Sequence, residues 1–302
     1  MDLPSYLINQ VRQGRVVLFL GAGANKGALT PDKRELPLGN ELRDRIAGKF
    51  LNGDYSSESL SWVSELASSA SDLFSVQDFI ADQFRDITPA DYHYLIPTFR
   101  WRGIATTNYD RLIEIAYNNL RGAIQTVVPF LSNADCVDDK LRDPSSVALL
   151  KLHGCITRTH DKELPLILTL DQYASFRDGR TRIFRMFEEW GSENSIIFVG
   201  HRLQDPNLRG ILLDLCQRIP SRPRYFLVRP HVTSEERDFW SGSEKRVSVL
   251  DGTFEDLLKA LDVTIVKTLR PLSAKFETDH PICLRFVVKD KPSPSLLEFL
   301  AN

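Results

Sequence analysis

Asn108, Asp110 and His153 are the side chains best suited to chemistry on a bound small molecule. Asn108 and Asp110 stand two residues apart in "TTNYD", directly after the β-rich run "GIAT", and His153 follows "SVALLKL" and precedes Gly154. An amide and a carboxylate pointing into one cleft can orient a hydroxyl or water and hold a positive or carboxamide group. Histidine is the side chain best suited to shuttle a proton near neutral pH, and a position between a strand and a glycine is expected to leave its ring with little steric cover. Each residue also has a structural reading. Asn and Asp are common helix caps, and "YDRLIEIAYNNL" starts a helix here; a lone histidine beside a core strand is more often a satisfied structural residue.

A second feature is "VVLFLGAGAN", residues 16–25, in which a greasy strand runs into two glycines one residue apart. Without a Cβ, backbone N–H groups can approach a phosphate, although a glycine after a strand is often only a turn. The third glycine of a dehydrogenase fingerprint would fall at position 26, which is Lys26, with Gly27 one residue late. No G-K-[ST] follows either, so a Walker A loop fails. A phosphate-bearing nucleotide fits this loop; a hydride-transfer enzyme and an NTPase do not.

Both features need elements to position them. "VVLFL", "GIAT", "IQTVV", "SVALLKL", "SIIFVG", "RYFLV" and "RVSVL" are continuous apolar runs, as expected of strands covered on both faces. Helical segments follow several of them, and Asp205 and Pro206 read as N-cap and first residue of "DPNLRGILLDLCQRI". Residues 40–100 read mostly as helices, with Ser75 and Asp78 forming a capping-box pattern. This predicts an α/β fold, a Rossmann-like, doubly wound, mainly parallel sheet with a helical insertion module. Such sheets bind ligands at the carboxyl ends of their strands. There the sequence places Gly21, Ala22, Gly23, Ala24 and Asn25; Thr107 to Asp110; His153 and Gly154; Gly200 and His201; and Asp251, Gly252 and Thr253.

Bulk properties narrow the partners. The 302 residues are 42% hydrophobic and 26% charged, an ordinary globular composition. A net charge of -2 provides no global field for nucleic acid or an anionic membrane. No apolar run approaches a spanning helix, and "MDLPSYLINQ" is not a signal peptide. The four cysteines, Cys136, Cys155, Cys216 and Cys283, form no C-x-x-C pair, so no zinc module is readable and a reducing cytoplasm is the expected home.

"GAGAN", "TTNYD", "KLHG" and "VLDGTFEDLLKAL" come in the order and rough spacing of the sirtuin family, over residues 15–261. More closely, the chain resembles the bacterial sirtuin-like domains of antiviral defence proteins, which hydrolyse NAD. The resemblance implies a catalytic domain over 1–265, with a helical module at about 40–100. It places the NAD phosphates on Gly21, Ala22 and Gly23, with Ala24, Asn25, Thr107, Tyr109, Gly200, His201, Gly252 and Thr253 as further binding residues. It assigns Asn108 to the ribose and water, Asp110 to the nicotinamide carboxamide, and His153 to the general base. NAD+ is then a substrate, and nothing calls for a metal. Deacylating sirtuins carry two C-x-x-C pairs after H-G, and this chain has none.

The expected activity is therefore NAD+ glycohydrolysis, as the NAD-depleting effector of an antiphage abortive-infection system. An NAD-dependent protein deacylase and a non-catalytic NAD or ADP-ribose sensor are the alternatives. A homo-oligomer is expected, with activation by assembly or by a sensor or NTPase module. Residues 266–302, holding Pro271, Pro281, Pro292 and Pro294, read as a linker or the start of a further domain. Arg177, Arg180, Arg182 and Arg185 read as a solvated helix face balanced by Glu188 and Glu189.

Overall fold

The computed structural model describes residues 1–135, 143, 145–203, 205–218, 221–242 and 245–265. The expected linker at 266–302 and Cys136 and Cys283 lie outside these residues.

Among the described residues one seven-stranded sheet forms, from β1 (Val16–Leu20), β2 (Gly103–Thr106), β3 (Thr126–Phe130), β4 (Ser146–Lys151), β5 (Ser195–Val199), β6 (Tyr225–Arg229) and β7 (Val247–Asp251). Every pairing is parallel and the order is β3-β4-β2-β1-β5-β6-β7. The fold is thus the doubly wound, Rossmann-like α/β architecture that the apolar runs predict. From β1 the chain builds one side through β2, β3 and β4, then crosses back to β5 and builds the other. The carboxyl ends of β1, β2 and β5 therefore meet where the winding reverses, which is where such sheets bind ligands.

Alternation along β1 divides the core. Val16, Leu18 and Leu20 pack into one buried cluster, Val17 and Phe19 into the other. The first cluster also holds Ile46, Val63, Val76, Ile80 and Ile96 of the helical module, so the module shares the sheet's own core. It consists of α2 (Gly39–Phe50), α3 (Leu60–Ala70), α4 (Leu73–Gln83) and a 3-10 run at Asp91–Thr98, following the short first helix α1 (Ser5–Arg12). The start expected at Ser75 is corrected: α4 begins at Leu73, capped by Asp72, whose carboxylate accepts from the Ser75 amide at 3.0 Å. Leu73 and Phe74 already carry helical backbone ahead of Ser75, so the cap falls on the earlier acceptor, Asp72.

The module also fixes the chain beyond β4. Gln77, wholly buried, donates to the Thr159 carbonyl at 2.9 Å and accepts from the Leu166 amide at 2.6 Å. Thr159 Oγ1 donates to Asp78 at 2.9 Å. Further helices are α5 (Leu112–Asn119), α6 (Leu170–Ala174), α7 (Thr181–Glu193), α8 (Pro206–Arg218), α9 (Ser234–Ser241) and α10 (Phe254–Thr264). Asp205 caps α8 as its sequence predicts, accepting from the amides of Asn207 at 2.9 Å and Leu208 at 3.0 Å. No helix among the described residues is long and apolar enough to cross a membrane.

The arginine-rich stretch needs a second correction. Arg177 pairs with Glu188 at 2.6 Å on the surface, but Arg180 is buried at 3% exposure. It occupies the N-cap position of α7, and its guanidinium donates to the Pro165 carbonyl in the segment after β4.

Candidate functional site

The glycines after β1 serve close packing of backbone on backbone. Gly21 N–H donates to the Val199 carbonyl and Gly23 N–H to the Gly200 carbonyl, both at 2.9 Å. A Cβ on Gly21 would lie 2.7 Å from the Gly200 oxygen and 2.8 Å from the His201 side chain. Gly200 has φ +65°, and a Cβ there would fall on the Ala24 backbone nitrogen. The β1 and β5 loops are therefore locked together, and the amides of Gly21 and Gly23 already have protein acceptors.

Beneath this junction the helical module supplies support. His93 Nδ1 accepts from the Ala90 amide at 2.9 Å, so its proton sits on Nε2, which donates to the Ala24 carbonyl at 2.8 Å. The ring is fully buried and burial lowers its proton affinity, which keeps it neutral in this role. Tyr92 donates to the Lys26 carbonyl at 2.7 Å.

The polar residues after β1 and β2 form a relay whose direction chemistry dictates. The Asp110 carboxylate accepts from the Asn25 side-chain amide at 2.6 Å and from the Leu112 amide at 2.8 Å. Asn25 therefore presents Oδ1 to Asn108, whose Nδ2 donates to it at 3.1 Å and to the Gly21 carbonyl at 3.0 Å. With Nδ2 committed to two acceptors, Asn108 keeps its Oδ1 as the free acceptor of the cluster. Thr106 Oγ1 fixes the loop from below, donating to the Leu20 carbonyl and accepting from the Asn108 amide, each at 2.9 Å.

Asp110 is only 3% exposed, and both its oxygens are engaged. Its carboxylate accepts at the start of α5, one residue ahead of the N-cap position at Arg111, and orients Asn25. Sequence inspection missed its support. Lys151, 2% exposed, donates from Nζ to the Asp110 carbonyl and pairs with buried Glu114 at 3.3 Å. A lysine at the end of an apolar strand carries no local sign that a long-range carboxylate awaits it.

His153 stands one strand away. Thr106 and Lys151 are register partners, so Asn108 and His153 each lie two residues past paired positions on strands ~4.8 Å apart. The open imidazole expected from the sequence is corrected. His153 is 3% exposed, with Tyr173 of α6 edge-on at 5.4 Å between centroids and Asp205 Oδ2 3.5 Å from Nε2. That separation is too long for a hydrogen bond, and Nε2 is buried with no partner. Burial, with the nearby Arg180 cation second, pulls its pKa down to about 3, so the ring is neutral. The cover comes from distant segments: Asn207 of α8 donates to the Tyr173 carbonyl at 2.8 Å and ties α6 across the site. No spacing in the sequence announces that closure.

The remaining predicted residues divide. Tyr109 donates to the Ile167 carbonyl at 2.7 Å, binding the β2 loop to the segment beyond β4, and Thr107 N–H donates to the Leu20 carbonyl at 3.3 Å. His201 accepts at Nδ1 from the Leu203 amide at 2.8 Å, and burial lowers its pKa to about 4. Gly252 and Thr253 follow β7, three places from β1 in the sheet. Thr253 is occupied as the α10 cap, accepting from the Asp256 amide at 3.1 Å. Their link to the centre is indirect, through Phe254 packed edge-on against Tyr92.

Residues 102–248 match the family model of the SIR2-like domain. The match spans β2 to the start of β7 and contains Asn108, Asp110, His153, Gly200 and His201, while Gly21 to Asn25 precede it. Over that stretch the chain is similar to a sirtuin-like domain, a class whose chemistry involves NAD+. No curated protein matches the chain.

Proposed function

We propose that this chain is an NAD+ glycohydrolase that cleaves the nicotinamide–ribose bond. The observation that carries the reading is the fixed amide of Asn108, with Nδ2 committed to Gly21 and Asn25, in the loop after β2 and one strand from the β4 end that carries His153, within a SIR2-like segment. The C1′–N bond breaks and its electron pair goes to the cationic pyridinium, leaving as neutral nicotinamide; no general acid is needed. Water adds to the oxocarbenium-like C1′, giving ADP-ribose and one proton. Asn108 Oδ1 accepts from that water or from a ribose hydroxyl and sets its line of approach. His153 receives the proton, and Asp205 beside it offsets the imidazolium that results. Asp110 acts through Asn25 as a positioning residue.

Hydrolysis is favoured over protein deacylation because the chain has no C-x-x-C pair with which to build the zinc module of the deacylating branch. The resemblance to zinc-less defence domains supports a role as the NAD-depleting effector of an antiphage system. The cover over His153 supports a latent enzyme: Tyr173 must shift before substrate reaches the ring. In this reading, assembly of copies or a sensor or NTPase module releases α6. Incubation of the chain with NAD+, with and without an acetyl-lysine peptide, tests the assignment. Peptide-independent nicotinamide and ADP-ribose are expected; product that forms only with peptide would establish the deacylase, and binding without turnover in any assembly state the sensor.

A further inference from the structure

Among the described residues, Arg180 is a buried cation without a counter-ion. Its Nη2 donates to the Pro165 carbonyl at 2.5 Å, its Nε is buried without a partner, and no carboxylate among the described residues is within ion-pair distance. Asp161 acts on it from farther away, but that carboxylate already accepts from the amides of Glu163 and Leu164, both at 3.0 Å. Arg180 also occupies the N-cap position of α7, a 13-residue helix with no acidic residue in its first turn and no side-chain cap. The positive end of the helix and the guanidinium thus reinforce one another.

The location is the edge of the site. Pro165 O, which accepts from the Arg180 guanidinium, lies 3.4 Å from the position a Cβ on Gly154 would take. Two residues on, Ile167 N–H donates to the His153 carbonyl at 3.0 Å and its carbonyl accepts from Tyr109. Burying an unbalanced guanidinium is costly, and a bound anion would offset that cost. A planar fork with a free N–H matches a phosphate oxyanion. The Gly21 and Gly23 amides, which would otherwise receive phosphate, are already taken by β5-loop carbonyls.

We infer that Arg180, with the amino end of α7, is an anion seat beside His153 that takes a phosphate oxyanion of the substrate. The identity of the phosphate's owner rests on the glycohydrolase reading; the anion seat itself does not. The seat makes Arg180 a specificity residue, selecting a dinucleotide over its unphosphorylated nucleoside. It also places the ligand's negative charge against the cation that, after burial, lowers the proton affinity of His153, so binding would relieve the smaller of the two causes.

Titration of wild type, Arg180→Lys and Arg180→Gln with ADP-ribose, nicotinamide riboside and inorganic pyrophosphate tests this. Arg180→Gln is expected to weaken ADP-ribose ~10–100-fold and leave nicotinamide riboside unchanged, with Arg180→Lys between them. Equal weakening of both ligands, or none, overturns the proposal. Wild type is also expected to melt at a higher temperature in about 10 mM pyrophosphate, a readout that stands even if Arg180→Gln does not fold. No such shift in wild type overturns the seat. Pyrophosphate bound through Arg180 with neither NAD+ nor ADP-ribose bound keeps the seat as a free-phosphate site and removes the glycohydrolase reading instead.

Discussion

Asn25 and Asp110, separated by 85 residues, join β1's loop to β2's through a 2.6 Å buried hydrogen bond. That bond sets the orientation of Asn25, and Asn25 sets that of Asn108. Asp110→Ala should therefore remove two things at once, the acceptor for the Leu112 amide at the start of α5 and the anchor of the relay. A loss of ~2–4 kcal/mol of stability is expected in urea denaturation, together with a drop in kcat at little-changed KM. A variant with native stability and full turnover would show that the relay does not position Asn108.

The interlocked glycines make a graded prediction. Gly200→Ala combines φ +65° with a Cβ on the Ala24 nitrogen, and a loss above ~3 kcal/mol is expected. Gly48→Ala, at an exposed position of α2 with nothing within 4 Å of the new methyl, should instead stabilise by ~1 kcal/mol. Paired thermal melts separate the two, and similar Tm values for both would contradict the packing described.

Buried neutral histidines tie stability to pH. The folded pKa of His153 is lowered to about 3 and that of His201 to about 4, while an unfolded histidine titrates near 6.5. The unfolded chain thus binds more protons below pH ~6.5, so this stability is complete above that pH and falls as pH drops toward the folded values. Between pH 6.5 and 5 each histidine should cost about 2 kcal/mol. Urea midpoints for wild type and His153→Gln check it: the variant should lose less over this range, and parallel losses would place His153 in solvent.

Asp205 has two duties that one substitution separates. Asp205→Asn keeps an oxygen for the Asn207 and Leu208 amides but removes the charge 3.5 Å from His153. Fold and Tm should be near wild type, with turnover down about 10–100-fold. Unchanged turnover would assign Asp205 to capping alone.

Legibility in the sequence followed the range of the interaction. The strands were readable because β1, β2 and β5 are buried on both faces and so are mainly apolar, and the α8 cap because Asp205 and Pro206 adjoin it. The positions of Asn108 and His153 followed from strand ends. What neighbours do to them did not: Lys151 beneath Asp110, Tyr173 and Asp205 over His153, and the burial of Arg180 depend on segments tens of residues apart. The glycine loop was legible as a place that needs bare backbone, but the partner observed there is the β5 loop, which only the fold brings near.

The central claim is that Asn108 and His153 act together on the nicotinamide–ribose bond. Its most direct measurement is NAD+ loss, with nicotinamide and ADP-ribose resolved, for wild type, Asn108→Ala and His153→Ala at matched Tm and in the same assembly state. Turnover is expected for wild type, with a fall of ~10²-fold or more in each variant and ADP-ribose still bound. Hydrolysis at the wild-type rate in either variant would contradict it.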